Sequence, residues 1–71
     1  MTASEAQKAV DPMLRMKSVI ALTGLSRSTL YRLIESGDFP AGVRLTTHTI
    51  AWPASEVANW IQLRIAARQG G

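Results

Sequence analysis

LTGLSRSTLYRLIESGDFP, residues 22–40, contains two glycines, and each one closes a short apolar pattern. Gly24 follows Met16, Val19, Ile20 and Thr23, which recur at helical spacing, so the sequence predicts a short first helix over Lys17–Thr23. Glycine enters the left-handed conformation of a helix C-cap at little cost, which is why that helix is expected to stop there. Ser26 suits the N-cap of a second helix, because its hydroxyl can accept from a free N–H of the first turn. Leu30, Leu33 and Ile34 give the buried stripe of that helix. Ser28, Tyr31, Arg32 and Glu35 fall on the opposite side of the helical wheel, with Arg27 on the flank. Gly37 ends the helix, and Asp38-Phe39-Pro40 turns the chain with Phe39 packing inward.

Two short helices joined by a glycine turn form the helix-turn-helix arrangement. With Gly24 as the turn glycine, apolar residues are wanted five before it, just after it, and six and nine after it. Val19, Leu25, Leu30 and Leu33 stand there. Ile20 occupies a place where a small residue is common, a mild departure.

Beyond Pro40, VRLTTHTIAW alternates apolar and polar residues on both sides of a polar Thr46–Thr49 turn, so it reads as a hairpin. Two strands alone are not stable, and the apolar face of the hairpin is expected to sit on the helices. Pro53 suits the first turn of a third helix. Val57, Trp60 and Ile61 supply that helix's core stripe, and it is expected to run to about Arg68. The fold class is therefore mainly α with a small β-hairpin, ordered helix, helix, hairpin, helix: a winged helix-turn-helix. Residues 1–13 are expected to be a flexible arm, 14–68 the folded domain, and 69–71 a disordered tail.

Composition narrows the chemistry. A chain of 71 residues forms at most one small domain, and its stability must come from a compact apolar core. It has no cysteine and a single histidine, His48, so neither a disulfide nor an ordinary zinc cluster is expected. No cofactor and no small-molecule substrate are implied, because the sequence has no nucleophile–base pair and no phosphate-cradling glycine loop. The expected protein is not an enzyme. No apolar run approaches the ~20 residues that cross a bilayer. The first residues lack the pattern of a secretory signal, so a cytoplasmic, nucleoid-associated protein is expected. Eight Lys and Arg against five Asp and Glu give a net charge of +3, an excess compatible with a nucleic-acid partner.

Double-stranded DNA accounts for the exposed residues of the second helix. An α-helix fits the major groove, and the start of a recognition helix reaches base edges. Arginine can form paired hydrogen bonds to guanine, and serine or threonine can bond bases or phosphates. Arg27, Ser28 and Arg32 are the expected base-reading residues, with Thr29 beside them. Tyr31, Lys17 and Arg44 look like backbone contacts. The hairpin then acts as a wing, whose tip residues Thr47 and His48 lie along a groove or a sugar-phosphate strand. Trp52 and Trp60 fall on the apolar phase of their elements and belong to the core rather than to base stacking.

RMKSVIALTGLSRSTLYRLIESGDFPAGVRL (residues 15–45), followed by IAWPASEVANWI (residues 50–61), resembles the AlpA family of prophage regulators. The run TGLSRSTLYRLI, then G, FP, V and L at fixed spacing, is matched from Thr23 to Leu45, and W, SEV and W from Trp52 to Trp60. The resemblance spans roughly residues 14–66. It implies a winged-helix fold similar to phage excisionases and to the DNA-binding heads of MerR-type regulators. It also implies a DNA-binding transcriptional regulator of prophage or mobile-element genes. The family's recognition helix maps onto Ser26–Ser36 and its wing onto Val43–Trp52. The turn here, TTHT, differs from the glycine-rich or basic loop of many relatives. Two alternatives stand beside this reading. One is an excisionase that binds and bends attachment-site DNA. The other is a small protein-interaction adaptor whose Tyr31/Arg32 face meets a protein. On DNA, two or more copies are expected to bind together, because one winged domain makes few contacts.

Overall fold

The computed structural model describes residues 11–70, with side chains up to Arg68. Six elements follow in order: β1 (Met13–Leu14), α1 (Met16–Thr23), α2 (Arg27–Ser36), β2 (Val43–Thr46), β3 (Thr49–Pro53) and α3 (Ala54–Gly70). Three helices around a small antiparallel sheet make a winged helix-turn-helix, as the sequence predicts.

The punctuation of the first two helices has the expected physical cause. Gly24 closes α1 at φ 74°, with its N–H donating to the Ile20 carbonyl. Gly37 closes α2 in the same left-handed conformation. Ser26 caps α2: its hydroxyl oxygen accepts from the Thr29 N–H at 3.2 Å. The same hydroxyl donates to Thr29 Oγ1 at 2.9 Å, so cap and first turn are tied twice.

The core takes a residue each from α1, α2, β3 and α3, and Phe39 from the turn after α2. Val19, Leu30, Phe39, Trp52 and Val57 are buried together. Leu14, Met16, Ile20, Leu25, Leu33, Ile34, Trp60 and Ile61 are half-buried around them. Ile20, the departure from the expected small residue, is thus absorbed at the edge of the core. The aromatic residues lock the turn after α2. Phe39 meets Trp60 edge-on, with ring centroids 5.0 Å apart. Trp60 Nε1 donates to the Asp38 carbonyl at 2.6 Å, and Trp52 Nε1 donates to the Pro40 carbonyl at 2.8 Å. Both tryptophans therefore pack their rings while keeping a hydrogen-bond partner.

Five expectations are corrected. The hairpin is part of a three-stranded sheet, in the order β1-β3-β2. Met13 pairs with Pro53 and Leu14 with Trp52, so the residues just before the first helix form an edge strand. Pro53 accordingly closes β3 rather than opening the third helix. The arm expected over residues 1–13 is anchored from Asp11 onward. The Asp11 carboxylate accepts from the Ser55 N–H at 3.2 Å and from the Ser55 hydroxyl, and the Pro12 carbonyl accepts from the Ala54 N–H at 2.8 Å. Asp11 thereby supplies a capping carboxylate to α3 from 44 positions away. The remainder of the expected arm, residues 1–10, lies outside the described residues. At the other end, the backbone of Gln69 and Gly70 continues α3 instead of forming a tail, and Gly71 lies outside the described residues.

The fifth correction concerns β2. Alternation predicts that Val43 and Leu45 face the helices, yet both are exposed. α1 and α3 pack against β3, and β2 is the outer strand beyond it in the sheet. A register shift between Arg44 and Thr46 also breaks the alternation of β2. The consecutive residues Ala51 and Trp52 of β3 are both buried, as befits a central strand covered on both faces.

Candidate nucleic-acid interface

The exposed start of α2 faces the hairpin across a cleft of about 460 Å³. Its exposed polar lining is Arg15, Lys17, Arg27, Tyr31 and His48, and its apolar lining includes Met16, Ile34, Ile50 and Trp52. Three different parts of the chain meet there. Arg15 and Lys17 come from the entry to α1, Arg27 and Tyr31 are one helical turn apart on α2, and His48 comes from the hairpin turn. No carboxylate lines the cleft among the described residues. The result is a cationic, hydrogen-bond-donating rim over an apolar floor. Such a lining suits a ligand with an anionic edge and apolar rings.

Of the residues expected from sequence to touch DNA, four converge on this cleft: Lys17, Arg27, Tyr31 and His48. Arg32 does not. It lines a separate, shallow depression with Thr29, Leu33 and Ser36 on the other flank of α2. Arg27 and Arg32 are five positions apart, which at 100° per residue puts them roughly 140° apart around the axis. The two arginines thus flank the exposed crest of α2, on which Ser28 and Glu35 stand. Ser28 is exposed, with its hydroxyl 3.5 Å from that of Ser26. The Thr29 hydroxyl and N–H are both engaged by Ser26. The local role of Thr29 is to complete the cap.

On the hairpin, Arg44 Nη1 donates to the Thr47 carbonyl at 3.4 Å. The Thr46 hydroxyl accepts from the His48 N–H at 3.2 Å, which tightens the turn. Arg44 and Thr47 lie outside the cleft lining, and both are exposed.

Sequence reasoning misses Arg15. It precedes α1 and shows no helical periodicity, so it carries no signal of its own. Its position comes from β1, which pins Leu14 to Trp52 and so brings the next residue beside the hairpin. Its carbonyl accepts from the Ser18 and Val19 N–H groups, which fixes the start of α1.

A helix-turn-helix flanked by a hairpin, with cations gathered between its second helix and that hairpin, defines the class as a winged-helix protein. The family described as Prophage CP4-57 regulatory protein (AlpA) matches residues 12–65, and the chain belongs to that family. It is also 50% identical over 61 residues to the uncharacterized protein ORF88 of Enterobacteria phage P4, a match covering 86% of this chain and 69% of that protein. The family is one of phage regulatory proteins. No helix among the described residues is long and apolar enough to cross a membrane.

Proposed function

We propose that this protein is a sequence-specific, duplex-DNA-binding regulator of prophage or mobile-element genes. In this reading α2 enters the major groove and the hairpin β2–β3 flanks it as a wing. The observation that carries the proposal is the convergence of Arg15, Lys17, Arg27, Tyr31 and His48 on one cleft between helix and hairpin that no carboxylate lines among the described residues. A sugar-phosphate strand running between the two grooves passes through that cleft. Its phosphates meet the cations and the Tyr31 hydroxyl, and its deoxyriboses lie over Ile50 and Trp52. Arg27, Ser28 and Arg32 then face base edges from the flanks and crest of α2. Arg27 reads beside the wing, and Arg32 reads on the far side. Arg44 and Thr47 contribute outer backbone contacts. One domain covers a short site, so two or more copies bind side by side.

Selection of bound sequences from random duplex DNA, followed by fluorescence-anisotropy titration of the winning site, tests the reading. The expected result is a defined consensus and an affinity that falls steeply with salt, because counterions are released on binding. Equal affinity for the selected and scrambled sites, or an affinity insensitive to salt, would overturn it. A footprint confined to the element's attachment site rather than a promoter would assign the same interface to excision.

A further inference from the structure

The C-terminal helix is longer than the core it covers. On α3, Val57, Trp60, Ile61, Arg64, Ile65 and Arg68 lie along one stripe, at the spacing of a single helix face. The first three pack on the core, whereas Arg64, Ile65 and Arg68 are exposed. The core-facing stripe therefore overhangs by about two turns, or ~10 Å at 1.5 Å per residue. Beneath the overhang lies a groove of about 330 Å³, closed on the other side by Leu22 and Leu25 at the end of α1 and the following turn. Leu22 is 58% exposed there, outside the core cluster.

Charge decides what fits. Arg64 rests over the Trp60 ring at 4.7 Å, and Arg68 stands one turn further along, so among the described residues the only charges lining the groove are positive. From Val57 to Gly70 the sequence holds no acidic residue. A second copy joined about a two-fold axis through this groove would set arginine against arginine, and its own stripe offers no carboxylate to relieve them. The groove shares no lining residue with the cleft at α2.

We propose that this groove docks an acidic amphipathic helix of a partner protein, while the cleft at α2 remains free for its own ligand. Leucine-type side chains at i and i+4 of the partner fill the space between Leu22 and Ile65, and flanking carboxylates pair with Arg64 and Arg68. The inference deepens the regulatory reading by naming a protein contact, and its test does not depend on DNA binding.

The experiment uses the full chain and two designed amphipathic helical peptides of equal hydrophobicity, one with glutamates and one with lysines flanking its leucines. Trp60 fluorescence, measured in a Trp52→Phe background, and amide shift mapping report on the groove. The acidic peptide is expected to bind with shifts confined to Leu22, Leu25 and residues 60–68. Arg68→Glu should weaken it roughly tenfold, and Leu22→Glu, at an exposed site that leaves folding intact, by a similar factor. The lysine peptide should gain affinity for the Arg68→Glu variant. Equal binding of both peptides to the wild type, no binding of the acidic one, or concentration-dependent self-association that shifts the same amides would overturn the proposal. So would a change at Trp60 on deletion of residues 1–10, which would make the chain's own leader the occupant. Arg68→Glu and Leu22→Glu are also made with Trp52 retained and titrated with the selected DNA: unchanged affinity is expected, and a loss with Arg68→Glu would assign the stripe to DNA and sink the proposal. Failure of the wild type to bind any DNA would bear on the regulatory reading alone.

Discussion

Of the three left-handed glycines, Gly24, Gly37 and Gly42, the last is the one where an added methyl group should do the most damage. Its φ is +84°, and a Cβ there would lie 2.9 Å from Ile50 Cγ2, 2.9 Å from Trp52 Cε2 and 3.1 Å from Trp52 Nε1. The left-handed backbone costs an alanine about 1–2 kcal/mol. Forcing a methyl into a packed site adds roughly 1–3 kcal/mol, because Trp52 is 3% exposed and held by its bond to the Pro40 carbonyl, and so has little room to yield. Stiffening the unfolded chain returns only about 0.4–1 kcal/mol. Gly42→Ala is therefore expected to destabilise the protein by about 3 kcal/mol. Gly24 is the control: its φ is +74°, but nothing lies within 4 Å of a methyl placed there, so Gly24→Ala should cost only about 1 kcal/mol. Urea unfolding followed by circular dichroism measures both, and in a domain of this size each kcal/mol shifts the melting midpoint by about 4–8 °C. Equal losses from the two substitutions would refute the argument that the loop before β2 is wrapped tightly around Trp52. Ile50 and Trp52 also line the cleft, so Gly42→Ala should weaken DNA binding at temperatures where the variant is still folded.

Three further outcomes are expected. Replacing Arg15 and Lys17 singly by alanine should weaken binding to all sequences alike and reduce the salt slope by about one each, read from anisotropy titrations at several salt concentrations. Arg27→Ala and Arg32→Ala should each cost about 1–3 kcal/mol on the selected site and relax the consensus at different base pairs, since the two residues lie on opposite flanks of α2; relaxation at the same base pair would contradict that placement. Asp11→Ala should lower stability by about 1 kcal/mol by uncapping α3, as an N-cap loss elsewhere does, and chemical denaturation with an unchanged m-value checks it.

The boundaries of α1 and α2 are legible in the sequence because their causes are local. Gly24, Ser26 and Gly37 act on groups within four residues, and Leu30, Leu33 and Ile34 announce their face by spacing alone. The cleft is half legible: the sequence points to Lys17, Arg27, Tyr31 and His48, but not to their meeting while Arg32 stands apart. Their meeting depends on β1, a two-residue strand too short to show any period. Arg15, Gly42 and the Asp11–Ser55 cap escape for the same reason, since each acts on a residue distant in sequence. Val43 and Leu45 mislead because alternation marks a strand without saying which neighbour covers it.

The Asp11–Ser55 contact also has a kinetic meaning. The unit α1-turn-α2 closes through neighbours in sequence, whereas the Asp11–Ser55 cap spans 44 positions and the β1–β3 pairing nearly as many. Closing a long loop comes at an entropic cost before its contacts form, so the helical pair is expected to assemble first and the β1 clamp last. In deuterated buffer the amide of Ala54, which donates to Pro12, should exchange early, well before those of Leu30 and Leu33, and the protein would open between its β1 clamp and α3 before the α1–α2 pair loosens.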